Sequence, residues 1–107
     1  MDITCARAVI TGGASGLGLG VAQYLISRGA QVSLLDIQDE AGRTAAASLG
    51  AAARYLRCDV TAESEVNAAM DAAASAMGGI DLLVNCAGII GAGRVLGRHG
   101  QIGRAHV

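Results

Sequence analysis

The feature that most constrains this chain is a glycine-rich segment near its amino terminus, at residues 11–18. It reads Thr-Gly-Gly-Ala-Ser-Gly-Leu-Gly and follows an apolar run, Arg7–Thr11; beyond it Leu17, Val21 and Leu25 recur at helical spacing. Glycines at such a strand-to-helix turn allow the pyrophosphate of a dinucleotide to touch the backbone, and the free N–H groups at a helix start attract the anion. The segment therefore predicts a nucleotide-binding turn.

Short apolar runs alternate with helical patterns as far as residue 90. Strands are predicted at residues 7–11, 31–37, 54–58 and 80–85, and helices at residues 15–28 and 39–49. A third helix is expected to have Thr61 as its N-cap, Glu63 and Glu65 in its first turn, and its end at Gly78. Apolar runs without polar alternation are typical of parallel strands that helices cover on both faces. The pattern predicts an α/β protein with about four strands and three helices.

The spacing of the glycines separates several classes of nucleotide-binding protein. A G-x-G-x-x-G fingerprint that starts at Gly16 would need glycine where Val21 stands. The loop of nucleoside-triphosphate hydrolases needs lysine after Gly18, but Leu19 follows, and the chain contains no lysine. An S-adenosylmethionine-dependent methyltransferase would carry an acidic residue where Ala14 stands. The first two classes are excluded, and the methyltransferase stays a distant alternative.

The spacing that does fit is T-G-x-x-x-G-x-G, and three further motifs agree with it. Asp36 lies at the carboxyl end of the second predicted strand, about 20 residues beyond the glycines, where a carboxylate can accept hydrogen bonds from the adenosine ribose. Asp59 and Val60 follow the third strand, and residues 85–88 at the end of the fourth read Asn-Cys-Ala-Gly. Together these motifs resemble those of the short-chain dehydrogenase/reductase family, in which the last is N-N-A-G. Here Cys86 stands in place of the second asparagine.

The resemblance implies an incomplete Rossmann fold, a doubly wound parallel sheet that binds NAD, over residues 1–90. It assigns cofactor binding to the motif residues Gly12, Ser15, Gly16, Leu17, Gly18, Asp36, Asp59, Val60, Asn85, Cys86, Ala87 and Gly88. Ser15, Leu17 and Val60 are expected to act through backbone groups. The charge of Asp36 would repel the 2′-phosphate of NADP, so NAD is the expected cofactor.

The family resemblance also implies an activity for the full-length parent. Members transfer a hydride between NAD and an alcohol or ketone, and a homo-oligomer is expected. Motifs such as Leu-Leu-Asp and Val-Asn-Cys-Ala-Gly are similar to those of type-2 3-hydroxyacyl-CoA dehydrogenases, which suggests a 3-hydroxyacyl-CoA as substrate. The alternative is a catalytically inactive NAD-binding fragment.

The family's catalytic asparagine, serine and Tyr-x-x-x-Lys pair lie downstream of the matched stretch. Tyr24 has Arg28 four residues on, but both belong to the first helix, behind the phosphate loop, where packing is the expected role of Tyr24. We therefore expect no catalytic residue and no dehydrogenase turnover in this chain. Residues 91–107 are expected to form an irregular tail. Residues 102–107, Ile-Gly-Arg-Ala-His-Val, are expected to be foreign to the natural protein, because a common sequencing adapter encodes that hexapeptide.

Composition restricts the expected partners and location. A net charge of -1 and aromatic residues that make up only 2% of the chain provide neither a basic stripe nor a stacking surface for nucleic acid. Charged residues interrupt every apolar run before it reaches the length of a membrane span. The three cysteines form no C-x-x-C pair, and the two histidines lack acidic or cysteine neighbours, so no metal site is expected. The expected location is the cytoplasm, with reduced thiols.

Overall fold

The computed structural model describes residues 6–87 and the backbone of a strand at residues 102–106. In chain order the elements are β1 (Arg7–Thr11), α1 (Gly16–Ser27), β2 (Gln31–Asp36), α2 (Asp39–Leu49), β3 (Ala53–Arg57), α3 (Glu63–Met77), β4 (Ile80–Asn85) and β5 (Ile102–His106). The predicted alternation of strands and helices is confirmed as far as β4, and the boundaries of β1, α2 and β4 agree with the sequence pattern.

The strands form one parallel sheet in the order β3-β2-β1-β4-β5. The chain moves outward from β1 to β3 and then crosses back to β4 on the other side of β1. This reversal beside β1 opens a crevice at the carboxyl ends of the strands, and α/β proteins bind ligands in such crevices. The predicted doubly wound α/β class is confirmed.

Two apolar clusters cover the two faces of the sheet, because successive residues of a strand point to opposite faces. On one face Ile10 and Leu34 pack with residues of α1 and α2, among them Ala22 and Ala45. On the other face the strands pack against α3, through the buried residues Val9, Leu35, Ile80, Leu83, Val66, Met70, Ala73 and Met77. Both faces of the inner strands are buried beneath helices, which explains their uninterrupted apolar runs. No helix among the described residues is long and apolar enough to cross a bilayer.

The inward face of α1 differs from the one that its apolar residues suggest. The buried residues are Gly18, Ala22 and Leu25, whereas Leu17 is 75% exposed. A Cβ at residue 18 would collide with the carbonyl oxygen of Gly12, so the helix touches the turn through Gly18. Leu17 precedes Gly18 by about 100° around the helix and points outward. Tyr24 is 54% exposed, so the prediction that it is a packing residue was wrong.

The start of α3 also corrects a prediction. The N-cap is Ala62 rather than Thr61, and Glu63 and Glu65 occupy the first turn as expected. The hydroxyl of Thr61 donates to Oδ1 of Asp59 over 2.6 Å, and its backbone N–H donates to the same oxygen over 2.9 Å. Thr61 therefore stabilises the turn that leaves β3, because its hydroxyl bonds backward along the chain and cannot cap the helix.

The carboxyl-terminal region departs from the expected irregular tail at residues 102–106, which form β5. This strand pairs in parallel with β4, with an irregularity between Ile80 and Leu82. An edge strand presents unpaired N–H and C=O groups, and a second strand satisfies them. The expectation that residues 102–107 are foreign to the natural protein stays a prediction.

Candidate dinucleotide-binding site

A cleft of about 210 Å³ opens at the carboxyl ends of the strands. Its walls come from the turn after β1 and from the residues that follow β2, β3 and β4: Gly12, Leu35, Asp36, Ile37, Cys58, Asp59, Val60 and Ala87. Five of these were predicted from the motifs, although they are far apart in the chain. The motifs did not predict Leu35, Ile37 and Cys58 as site residues. Their adjacency to Asp36 and Asp59 was the signal that could have identified them.

The glycine turn is held against the ends of β2 and β4. The backbone N–H of Gly12 donates to the carbonyl oxygen of Leu35 over 2.8 Å. A Cβ at residue 12 would lie 3.1 Å from the backbone of Cys86 and Ala87, which is closer than ordinary contact. Gly16 has a φ of 58°, which disfavours other residue types, and a Cβ there would meet only open space. The turn is therefore packed on the protein side and open on the other.

The start of α1 lies at this open side. Ser15 is the N-cap in an extended conformation, its side chain makes no capping hydrogen bond, and the first turn carries no acidic residue. The first N–H groups of a helix have no acceptor within the helix. Ser15, Gly16 and Leu17 are all exposed. This arrangement can bind an anion such as a pyrophosphate through backbone groups.

Asp36 ends β2 beside the glycine turn, and its carboxylate bridges two loops. Oδ2 accepts a hydrogen bond from the backbone N–H of Ala14 over 3.2 Å, and Oδ1 accepts one from Gln38 over 3.1 Å. Each carboxylate oxygen can accept more than one hydrogen bond, so both retain capacity for the hydroxyl groups of a sugar. The side chain lines the cleft and is half-buried.

Asp59 also lines the cleft, directly after Cys58, and is kept ionised at neutral pH. The hydrogen bond from the Thr61 side chain, and then the one from its backbone N–H, lower the pKa of Asp59. The backbone N–H of Asp59 donates to Oε1 of Glu65 over 3.0 Å. The carboxylate is thus tied to its own turn, and Val60 follows it in the cleft wall.

Cys58 lies in the same wall and is 1% exposed. Burial, followed by the charges of Glu65 and Asp59, raises the pKa of its thiol to about 11. At neutral pH the side chain is therefore an uncharged, apolar part of the cleft wall.

Asn85 links the ends of β1 and β4. Its Oδ1 accepts a hydrogen bond from the hydroxyl of Thr11 over 2.6 Å and one from the backbone N–H of Ala87 over 3.3 Å. The N–H of Cys86 donates to the carbonyl oxygen of Thr11 over 3.0 Å. These bonds fix the floor of the site beneath the glycine turn. Cys86 is half-buried with a free thiol, and Gly88 lies outside the described residues.

Comparison of the sequence with known proteins identifies a family with the same motifs. The sequence matches the family described as short chain dehydrogenase over residues 6–100. It is 48% identical over 82 residues to 3-hydroxyacyl-CoA dehydrogenase type-2 from Bos taurus, covering 77% of this chain and 31% of that protein. It is 43% identical over 83 residues to (+)-borneol dehydrogenase 1 from Salvia officinalis, covering 78% of this chain and 32% of that protein.

A solved structure has the same fold. The 3-ketoacyl-(acyl-carrier-protein) reductase from Brucella melitensis, complexed with NADH, is 37% identical with a TM-score of 0.72, over 74% of this chain and 32% of that one. The chain thus spans about a third of the length of the relatives it matches. From the extent of the family match, together with the glycine turn and the strand-end motifs, we conclude that the chain belongs to the short chain dehydrogenase family.

Proposed function

We propose that this chain forms the NAD-binding part of an oxidoreductase that transfers a hydride between NAD and an alcohol or ketone. The observation that carries the proposal is the position of the Asp36 carboxylate, which lies in the cleft wall and is hydrogen-bonded to Ala14 of the glycine turn. A ribose held by Asp36 would place its attached pyrophosphate at the open start of α1. The NADH complex of the Brucella reductase supports this proposal.

The proposed contacts follow the layout of the cleft. The backbone N–H groups near Ser15 and Leu17 would bind the pyrophosphate, and the Asp36 carboxylate would accept hydrogen bonds from the ribose hydroxyl groups. Adenine would occupy the cleft beside Asp59 and Val60, with Cys86 near the adjoining ribose. Asn85 would act indirectly, because its oxygen is already bonded to Thr11 and Ala87. Gly12, Gly16, Gly18, Ala87 and Gly88 complete the proposed set.

The charge of Asp36 supports a preference for NAD over NADP. Two like charges about 4 Å apart repel by about 4 kcal/mol at the effective dielectric constant of a protein surface, and solvent screening lowers that figure. The 2′-phosphate of NADP would approach the half-buried carboxylate closely. We therefore propose NAD as the cofactor.

The substrate is proposed only as a class. The relatives are named for different alcohols and ketones, among them a 3-hydroxyacyl-CoA and borneol. The identity of 48% with the bovine enzyme supports a 3-hydroxyacyl-CoA for the full-length parent. We propose no catalytic residue within this chain. Tyr24, which resembles the catalytic tyrosine only in its spacing to a basic residue, is exposed on α1.

Calorimetric titration, which measures binding, and thermal unfolding, which measures Tm, test the cofactor of the chain. We expect NAD to bind and to raise Tm, because a ligand at 100 times its Kd stabilises the native state by about 2.7 kcal/mol. S-adenosylmethionine should leave Tm unchanged. A Tm increase with S-adenosylmethionine but none with NAD would favour a methyltransferase and contradict the proposal.

The variant Asp36→Ala tests the residue that carries the proposal. Loss of hydrogen bonds to a charged acceptor should raise the Kd for NAD by about 10- to 100-fold, and the Kd for NADP should rise less. Ser48→Ala, on the exposed side of α2, is the matched control and should leave both constants unchanged. The assignment fails if Asp36→Ala has the affinities of the unsubstituted chain.

A further inference from the structure

Tyr55 on β3 contacts the Asp36 turn, although it belongs to none of the cofactor motifs. Its hydroxyl oxygen lies 2.9 Å from the main-chain carbonyl oxygen of Asp36 and 2.8 Å from Oδ1 of Asp39. Its ring lies against Gly42 of α2 so closely that a Cβ at residue 42 would collide with the ring. Tyr55 thus joins β3 to both the end of β2 and the first turn of α2.

The orientation of the Asp36 carboxylate depends on the turn that Tyr55 contacts. Oδ1 is bonded to the backbone of Gln38, within that turn, and Oδ2 is bonded to the backbone of Ala14, within the glycine turn. Gln38 is the N-cap of α2 and makes no side-chain capping bond. A displacement of residues 36–39 relative to the glycine turn would therefore change the direction of the carboxylate.

The hydroxyl of Tyr55 has one proton and faces two acceptors. The carbonyl oxygen of Asp36 has a second donor, the backbone N–H of Cys58 at 3.0 Å. The carboxylate of Asp39 has an ion-pair partner at longer range, Nε of Arg57 at 3.8 Å. Tyr55 is therefore the short-range link between α2 and β3. Burial, and then the hydrogen bond to Asp39, raise the pKa of Tyr55 to about 12, so the hydroxyl keeps its proton at neutral pH.

We propose that Tyr55 is a positioning residue for ribose recognition, whose hydroxyl fixes the turn at residues 36–39 so that the Asp36 carboxylate faces the sugar. This inference rests on the proposed NAD site. Tyr55 acts through Asp36 and does not itself bind the cofactor. Its ring packing on Gly42 is separate from its hydroxyl contacts, so removal of the oxygen alone should leave the fold intact.

The variant Tyr55→Phe, with Tyr24→Phe as the matched control, tests the inference. Calorimetry with NAD and with NADP gives the Kd of each chain for both cofactors. For Tyr55→Phe we expect the Kd for NAD to rise about two- to tenfold and the Kd for NADP to rise less, with Tm almost unchanged. Tyr24, exposed on α1, should tolerate the same change without effect on either constant.

A second variant, Asp39→Ala, removes the exposed carboxylate that the Tyr55 hydroxyl contacts. It should also raise the Kd for NAD more than the Kd for NADP. The inference is overturned if Tyr55→Phe binds NAD and NADP as the unsubstituted chain does. It is equally overturned if both affinities fall by the same factor together with Tm, since that would show a purely structural role. A failure of the unsubstituted chain to bind NAD would instead reject the proposed function.

Discussion

The two ends of the central strand pair, β1 and β4, are built in opposite ways. At the amino end, Asp81 accepts hydrogen bonds from the backbone N–H and from Nε and Nη2 of Arg7, over 3.0, 2.9 and 2.9 Å. Nη1 of Arg7 donates to the carbonyl oxygen of Gly78 over 2.6 Å. At the carboxyl end, long side chains are absent from the turn at residues 12–16, and exposed backbone at the start of α1 faces solvent.

The two ends of this strand pair therefore differ in what they can do: the amino end stabilises the fold, and the carboxyl end offers groups to a ligand. The amino end satisfies its polar groups internally, and the hydrogen bond to Asp81, followed by its charge, raises the pKa of Arg7. The carboxyl end leaves helix N–H groups and carboxylate lone pairs available for a ligand. We therefore expect substitutions at the amino end to change stability alone, and substitutions at the carboxyl end to change cofactor binding.

The largest effect is expected from Gly18→Ala. The added methyl group would collide with the carbonyl oxygen of Gly12, so α1 must move away from the turn. Overpacking of this kind lowers the free energy of unfolding by about 1–3 kcal/mol. NAD binding should be lost, because the displaced helix no longer aims its N–H groups at the pyrophosphate. Urea unfolding and calorimetry measure the two effects.

Gly20→Ala is the matched control for Gly18→Ala. It lies on the same helix, and a Cβ there meets open space. Alanine should raise the free energy of unfolding by about 1 kcal/mol through helix propensity, with NAD affinity unchanged. If both variants behaved alike, the close approach of Gly18 to the turn would have no functional role.

A smaller effect is expected from Asp81→Ala at the amino end. The substitution leaves the backbone N–H and the guanidinium of Arg7 without their shared acceptor, and it removes a partly buried ion pair. The urea midpoint should fall by less than in Gly18→Ala, because solvent can replace part of the lost interaction. The Kd for NAD should stay constant. A rise in that Kd would show that the two ends are coupled.

The thiols provide a pH-dependent test of the carboxyl end. The pKa of Cys58 is raised from 9.0 to about 11 because burial favours the neutral thiol. Its contribution to the free energy of unfolding is therefore fully present below pH 9 and is lost as the pH rises through about 11.

The two thiols should also differ in reactivity. In a Cys5→Ser background at pH 8, iodoacetamide should alkylate the half-buried Cys86 before Cys58. Mass spectrometry of peptides gives the two rates. Faster labelling of Cys58 would contradict a closed cleft wall.

The smallest effect is expected from Thr61→Val. Loss of the hydroxyl removes the main cause of the lowered pKa of Asp59, so this pKa should rise toward its ordinary value of 3.8, while the backbone bond from residue 61 persists. NMR titration of the carboxyl carbon measures the change. Any stability from this group is present above pH 3.8 and is lost as the pH falls through the lowered pKa. Neutral-pH NAD binding should not change.

Much of the lining of the candidate cleft could be predicted, because its residues follow strand ends. In a parallel sheet all carboxyl ends meet at one edge, so Asp36 and Asp59 were expected near the glycine turn once the strands were recognised. The role of Tyr55 could not be predicted in this way. Its contacts with Asp36, Asp39 and Gly42 arise from strand register and from the packing of α2 on β3, which no local pattern encodes.

The exposure of Leu17 and the partner of Thr61 show a second limit, because a short-range contact competes with the pattern that suggested each role. Leu17 belongs to the apolar helical pattern of α1, and Thr61 is a residue type that suits a helix N-cap. The backbone contact between Gly18 and Gly12 turns Leu17 outward, and the carboxylate of Asp59 binds the Thr61 hydroxyl. In each case a contact with a residue outside the helix outweighs the pattern within it.

The sequence by itself determined the α/β class, the order of the elements as far as β4, and the glycine motif of the proposed nucleotide-binding turn. These properties depend on hydrophobic periodicity and on glycine spacing, both of which are local. The tertiary structure decided which side chains at the strand ends are already bonded across the sheet, such as Asn85 to Thr11, and it decided that each carboxylate oxygen of Asp36 accepts one hydrogen bond and keeps capacity for a ligand. The physical reason is that a polar atom's remaining hydrogen-bonding capacity depends on partners up to 74 residues away, brought within 3 Å by the parallel pairing of β1 with β4.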